Sequence, residues 1–184
     1  MNSGGTGVVK TYRDDPLDKR LLQALKTIES RVKDPRYGLP EDIFLFVSRV
    51  TPLVNVDLLI KDTQGRTLLT WRDDFCGRGW HIPGGIVRVR ESLITRVKLV
   101  AITEMGAGVD VDPVPLMFNE IIHRRRVNRV HHIAFLFSCR LRKPPAEPLR
   151  CTSGKPKPNQ WKWHDRAPRN LVTVQRVYKS FLNT

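Results

Sequence analysis

Residues 80–108 constrain what this chain can fold into more than any other stretch. Trp80-His81-Ile82 is short and apolar, as a strand is, and Pro83-Gly84-Gly85 turns the chain sharply. After Arg88-Val89-Arg90-Glu91 the pattern becomes helical and closes on Glu104-Met105-Gly106. A helix of about fifteen residues is expected there. Glu91 is read as an acid of its first turn, where the positive end of the macrodipole favours an anion. Gly106 stands where a glycine can take positive φ and stop the helix. A strand, a glycine turn and a helix with acids at set places form a frame suited to holding a cation and a phosphate.

The rest of the chain builds around that frame. Residues 1–16 are glycine-rich and then polar, and are expected to be mobile. Leu21, Leu22, Leu25, Ile28 and Val32 recur at helical spacing, so 17–32 is predicted helical and packed on the domain. Pro35-Arg36-Tyr37-Gly38 ends it, and Pro40-Glu41-Asp42 opens a second short helix. Residues 54–60 and 67–71 read as strands joined by a turn at Asp62-Thr63-Gln64-Gly65, with 73–79 a loop. Residues 109–114 read as a connection, 116–123 and 130–141 as strands around an arginine-rich tip, and 142–159 as a proline-rich loop or flap. Trp161-Lys162-Trp163 reads as a last strand and 170–182 as a closing helix. Strands and helices mixed in this order, without regular βαβ alternation, indicate an α+β sandwich.

A chain of 184 residues, 40% hydrophobic, suits one ordered domain with a sizeable core. It has no apolar run near the ~20 residues that span a bilayer, and no signal-peptide core at its start. Three cysteines, Cys76, Cys139 and Cys151, lack metal-ligand spacing and are expected to be reduced thiols of a cytoplasmic protein. The excess of 32 Lys+Arg over 18 Asp+Glu, a net charge of +14, attracts anions generally. Solubility and general anion attraction explain it before dedicated nucleic-acid binding does, since no zinc-finger or RNA-recognition signature is present.

The central stretch resembles a Nudix box, G-x5-E-x7-R-E-U-x-E-E-x-G-U with U a bulky aliphatic residue. Counted from Gly85, the first acid falls on Glu91 and the closing Glu-x-Gly on Glu104-Met105-Gly106. Leu99 and Val100 replace the Arg-Glu pair, Thr103 replaces an acid, and Ala107 is smaller than usual. Residues 51–60 and 65–72 are similar to the start of the GDP-mannose mannosyl hydrolase branch, which itself has a degenerate box. Val130-His131-His132-Ile133-Ala134-Phe135-Leu136-Phe137 resembles its later core strand. The resemblance spans residues 39–141. It implies a Nudix-type α/β/α sandwich with a mixed central sheet over 39–184, preceded by an extension, 1–38, carrying one helix.

The resemblance also implies roles. Glu104 and the carbonyl of Gly84 would bind Mg²⁺, and Asp57 and Arg72 would contact substrate, Arg72 also stabilising the leaving group. A plain reading of Glu104 is a solvated acid, but the dipole disfavours an acid in a last helical turn. A surface charge explains Arg72 equally well. With Leu99 in place of arginine, Glu91 lacks its usual partner and reads as a helix-start acid. The branch carries an arginine directly after its two glycines; Ile86 stands there, and Arg88 could supply the charge. The branch's late glutamine ligand and base histidine fall near Gln160, with His164 the nearby histidine, although Trp161 directly follows the glutamine. Anchoring on Trp163 instead brings up Lys157 and Pro158. His123, His131 and His132 are alternative bases, more simply read as structural, and Trp161 and Trp163 are more simply core than stacking platforms.

The expectation is a Mg²⁺-dependent hydrolase of a nucleoside diphosphate sugar, resembling GDP-mannose hydrolases and dimeric as that branch suggests. The alternative is a catalytically silent Nudix domain that binds nucleotide or RNA; a pyrophosphatase of other substrate range is a third reading.

Overall fold

The computed structural model describes residues 19–74 and 77–183, so the expected mobile start and Cys76 lie outside the described residues. The chain divides into two compact units, the first ending at Asp34 and the second beginning at Pro35. In the first, α1 (Lys19–Arg31) forms as the spacing predicts. None of its residues is buried, and Leu21, Leu22, Leu25 and Ile28 are exposed. No helix of the described residues is long and apolar enough to cross a membrane.

The second unit opens with α2 (Glu41–Val50), which follows Pro40 and carries Glu41 and Asp42 in its first turn. Then come β1 (Leu53–Ile60), β2 (Thr67–Asp74), β3 (Gly77–His81), β4 (Gly84–Ile86) and α3 (Leu93–Met105). They are followed by β5 (Val109–Val111), β6 (Met117–Ile122), β7 (His131–Leu141), β8 (Trp161–His164) and α4 (Lys179–Leu182). The five-stranded sheet runs β4-β1-β7-β5, with β6 also on β7; β1 and β7 are parallel and the other pairs antiparallel. Strands β3-β2-β8 form an antiparallel second sheet.

Strand β1 is buried on both faces. Val56, Leu58 and Ile60 pack on Val97, Val100, Ala101 and Met105 of α3, while Leu59 packs in a second cluster with Leu136, Tyr178 and Leu182. Helical segments thus cover the mixed sheet on both sides, the expected sandwich.

Four elements differ from the sequence reading. Residues 73–74 and 77–79, expected in a loop, lie in the paired strands β2 and β3, where Asp73 pairs with Arg78, 3.3 Å apart. Strand ladders use backbone groups, so a charged outer end can still pair. Residues 109–111 form β5, because β7, at 11 residues, is long enough to offer both β5 and β6 an edge. The closing helix is a 3₁₀ segment over Thr173–Tyr178 followed by the four residues of α4. Helix α3 starts after Ser92, whose Oγ accepts from the Thr95 amide; Ser is a strong N-cap, so Glu91 lies before the helix rather than in its first turn. Gly106 does stop the helix, at φ 63°.

Candidate functional site

The Pro-Gly-Gly turn places Gly84 opposite Asp57 across the β1–β4 pair. A Cβ at Gly84 would run into Asp57 Oδ1 and lie 2.8 Å from the Val56 carbonyl, so the turn must be glycine for the strands to meet. Glu104, the penultimate residue of α3, reaches back to this corner. Its Oε1 accepts from the Gly84 amide at 3.4 Å and its Oε2 from the Thr70 hydroxyl at 3.0 Å. Burial pushes the Glu104 carboxyl up to about 7, and the charge of Asp57 adds to that, against the Thr70 bond and the charge of Arg72.

Asp57 is 4% exposed. Tyr178 donates to it at 2.7 Å, Asn55 at 3.1 Å and Gln175 at 3.5 Å. Burial still pushes it up to about 6. His81 completes the corner: Nδ1 lies 2.8 Å from the Ile82 carbonyl and Nε2 3.1 Å from Thr70 Oγ1. Burial, then the charge of Arg72, holds its pKa down to about 3, so the ring is neutral. A carbonyl cannot donate, so Nδ1 carries the proton and Nε2 accepts. The single hydroxyl proton of Thr70 therefore serves either His81 or Glu104: a protonated Glu104 donates to Thr70, which donates to His81.

This corner closes one end of a cavity of about 560 Å³. Leu53, Asn55 and Asp57 of β1 form its floor, and Arg72, His81 and Gly84 surround the carboxylate end. Arg88, Arg126, Arg129, His123 and His132 also line it, and among the described residues Asp57 is the one acid in the lining.

Of the residues singled out from sequence, the fold brings Asp57, Arg72, Gly84 and Arg88 to this cavity, with Glu104 behind Gly84. It does not bring Gln160 or His164 to it. Gln160 closes a turn, its Oε1 accepting from the Lys157 amide at 2.9 Å. His164, on β8, stands edge-on to Trp80 with centroids 4.7 Å apart, and burial lowers its pKa to about 4. Trp161 is core, 2% exposed, its indole donating to the Ala146 carbonyl. Glu91 is neither a dipole acid nor partnerless: it binds Arg96, five residues on, at 2.7 Å. Thr70, His81, Gln175 and Tyr178 escaped the sequence reading. Only His81, beside the Pro-Gly-Gly turn, carried a local signal; Gln175 and Tyr178 are distant in sequence and meet Asp57 only through the fold.

Mg²⁺ prefers oxygen ligands and is commonly held by one or two carboxylates together with substrate phosphates. The donors at Gly84 suit that arrangement. A buried carboxylate, Asp57, and a half-buried one, Glu104, flank one glycine, and desolvation disfavours their charge until a cation arrives. They do not form a cage: among the described residues no three His, Cys, Asp or Glu side chains gather for a metal. Val100, where the Nudix pattern has an acid, is 3% exposed in the core.

No family model matches the sequence. A curated relative, the low-salt glycan biosynthesis protein Agl8 of Haloferax volcanii, is 35% identical over 79 residues, 42% of this chain and 50% of that protein. The chain therefore spans about half the length of that relative. Among solved structures, a MutT NUDIX hydrolase from Burkholderia pseudomallei aligns with TM-score 0.56 and 22% identity, covering 72% of this chain and 98% of that one. A UDP-X diphosphatase aligns with TM-score 0.51 and 18% identity over 93% and 81%. Likeness at these identities concerns the backbone: this chain has the fold of the Nudix hydrolases.

Proposed function

We propose that the protein hydrolyses a nucleoside diphosphate sugar in this cavity, releasing nucleoside diphosphate and sugar. The observation that carries the reading is the corner at Gly84, where buried Asp57 and half-buried Glu104 stand within the field of Arg72 at the end of an otherwise cationic cavity. Arg72 offsets the charge that grows on the diphosphate as it leaves. With His164 outside the cavity, Asp57 is the lining group suited to take a proton from the attacking water; a value of about 6 is near the optimum for a base at neutral pH. Glu104, with Gly84 beside it, would hold Mg²⁺, which when bound neutralises phosphate charge. The names of the relatives, one a glycan biosynthesis protein and one a UDP-X diphosphatase, agree with a nucleotide sugar. We extend the proposal to a 39–184 Nudix domain that pairs as a homodimer.

The second reading, a silent nucleotide-binding domain, draws support from Val100, since a core valine where an acid is expected removes a metal ligand. Incubation with a panel of nucleotide sugars and Mg²⁺, product being read by chromatography, separates the two. Turnover by the wild type that falls at least 100-fold in Glu104→Gln supports the hydrolase. Tight binding without turnover of any member supports the silent domain.

A further inference from the structure

The two sheets treat their edges differently. In the second sheet, Leu171 bridges β3 at Trp80 and Arg150 bridges β8 at Trp161, so neighbouring chain lies along both outer strands. In the five-stranded sheet, β6 lies outside the first half of β7, and among the described residues β7 is its one strand partner. Its sequence, Met117-Phe118-Asn119-Glu120-Ile121-Ile122, holds neither the proline nor the lysine that commonly blunts an open edge.

The register shows which backbone groups of β6 face outward. The carbonyls of Ser138, Leu136 and Val130, even-numbered residues on or beside β7, accept from the amides of Asp112, Leu116 and His123. The even-numbered residues of β7 therefore turn their backbone groups toward β5 and β6, and on β6 they meet Met117, Asn119 and Ile121. Bonding direction alternates along an antiparallel strand, so the amides and carbonyls of Phe118, Glu120 and Ile122 point away from β7. The side chains of those same residues are the exposed ones of the strand. Phe118 is 72% exposed and Ile122 59%, and Leu116, on the same side, continues the stripe.

We infer that β6 pairs antiparallel with β6 of a second copy of this chain, about a two-fold axis at Glu120. The inference rests on the homodimer proposed above and names its surface. Of the registers a two-fold axis allows, this one matches every outward residue of the strand. Phe118 stands opposite Ile122 and Glu120 opposite its own copy, each pair exchanging both backbone bonds. Aromatic and β-branched side chains facing each other across strands stabilise the pairing, whereas the two Glu120 carboxylates oppose it. Each Glu120 also keeps its own His131, with Nε2 2.9 Å from Oε1. The flanks are opposite in charge: exposed Asp112 precedes β6 and exposed Arg124 and Arg125 follow it, and antiparallel pairing lays one flank toward the other. Leu116, Phe118, Glu120, Ile122 and the backbone strip offer roughly 500 Å² per copy, on the order of 1,000 Å² in the pair, which suits a dimer that dissociates on dilution. The pair uses both β6 edges, so association stops at two copies.

Sedimentation equilibrium of the full chain is the test. Wild type should pass from monomer to dimer as its concentration rises through roughly 1–100 μM, as a small interface implies. Phe118→Lys should raise the dissociation constant about tenfold or more, and Glu120→Gln, which removes the like charges at the axis, should lower it about threefold. Val177→Lys, at an exposed site on the closing 3₁₀ segment, should leave it unchanged. Amide hydrogen exchange gives a second readout. The amides of Phe118, Glu120 and Ile122 should exchange more slowly as concentration rises, while those of Asn119 and Ile121, bonded to β7, stay slow throughout. A wild type that remains monomeric over the whole range overturns the inference and the homodimer together. A dimer indifferent to Phe118→Lys and Glu120→Gln overturns the surface alone. Protection of the outward amides that does not change with concentration also overturns it, because the chain's own residues would then cover the edge.

Discussion

His81 shows how a single side chain reports its environment. Its neutral ring is built into the corner through Thr70 and the Ile82 carbonyl, and its pKa is depressed to about 3. The unfolded chain binds a proton at a pKa near 6.5, so below that the unfolded state holds more protons than the folded one. His81 therefore contributes stability that is fully present above pH ~6.5 and is lost as pH falls toward 3, at up to ~1.4 kcal/mol per unit. Asp57 and Glu104, whose values are raised, act with the opposite sign: their contribution is present at low pH and lost as pH rises toward about 6 and about 7. Chemical denaturation across pH 4–7 in wild type and His81→Gln should separate the two. The variant should gain on wild type as pH falls, and parallel curves would show that the ring titrates normally.

Among the elements, the β4 turn and the start of α3 carry the most consequence. Gly84→Ala places a methyl against Asp57 and the Val56 carbonyl, neither of which can retreat from a paired strand. It should cost about 2–3 kcal/mol in urea unfolding and abolish ligand binding. Gly85→Ala meets the methyl of Val100 at 2.8 Å, a side chain better able to yield, and should cost less. At the start of α3, Glu91, which precedes the helix, and Arg96, in its first turn, form an ion pair with each side chain 10% exposed, and Glu91 also accepts from the Arg88 amide. Removing one partner leaves a buried charge without compensation. Arg96→Ala should destabilise the fold by about 3 kcal/mol or more, whereas the double variant Glu91→Gln/Arg96→Met should recover part of that loss. The same turn carries Arg88 to the cavity, so the pair fixes a binding residue as well as the helix start.

For the whole molecule, the charge of +14 sets how ligands arrive. Anionic nucleotides should associate faster than neutral analogues. Their association rate should fall steeply between about 0.05 and 0.5 M salt as the Debye length contracts, while dissociation changes little. Stopped-flow fluorescence of Trp71 and Trp80, each next in sequence to a cavity-lining residue, would read both rates. A salt-independent association rate would show that the surface charge lies away from the approach path.

The sequence by itself determined the strand, glycine turn and helix of residues 80–106, because each carries a local rule: apolar spacing, a forced turn and a left-handed stop. It also marked Asp57, Arg72, Gly84 and Glu104, through a resemblance those positions keep. Only the tertiary structure decided the partners. Tyr178 and Gln175 reach Asp57 from more than a hundred residues away, Thr70 bridges His81 and Glu104 across elements, and Gln160 and His164 are drawn elsewhere. Strand pairing through backbone groups extended β3 back to Gly77 and made β5 out of segments whose side chains gave no sign of it. Local chemistry shapes a turn or a helix end, but which side chains converge is set by sheet register, and register is a property of the assembled fold.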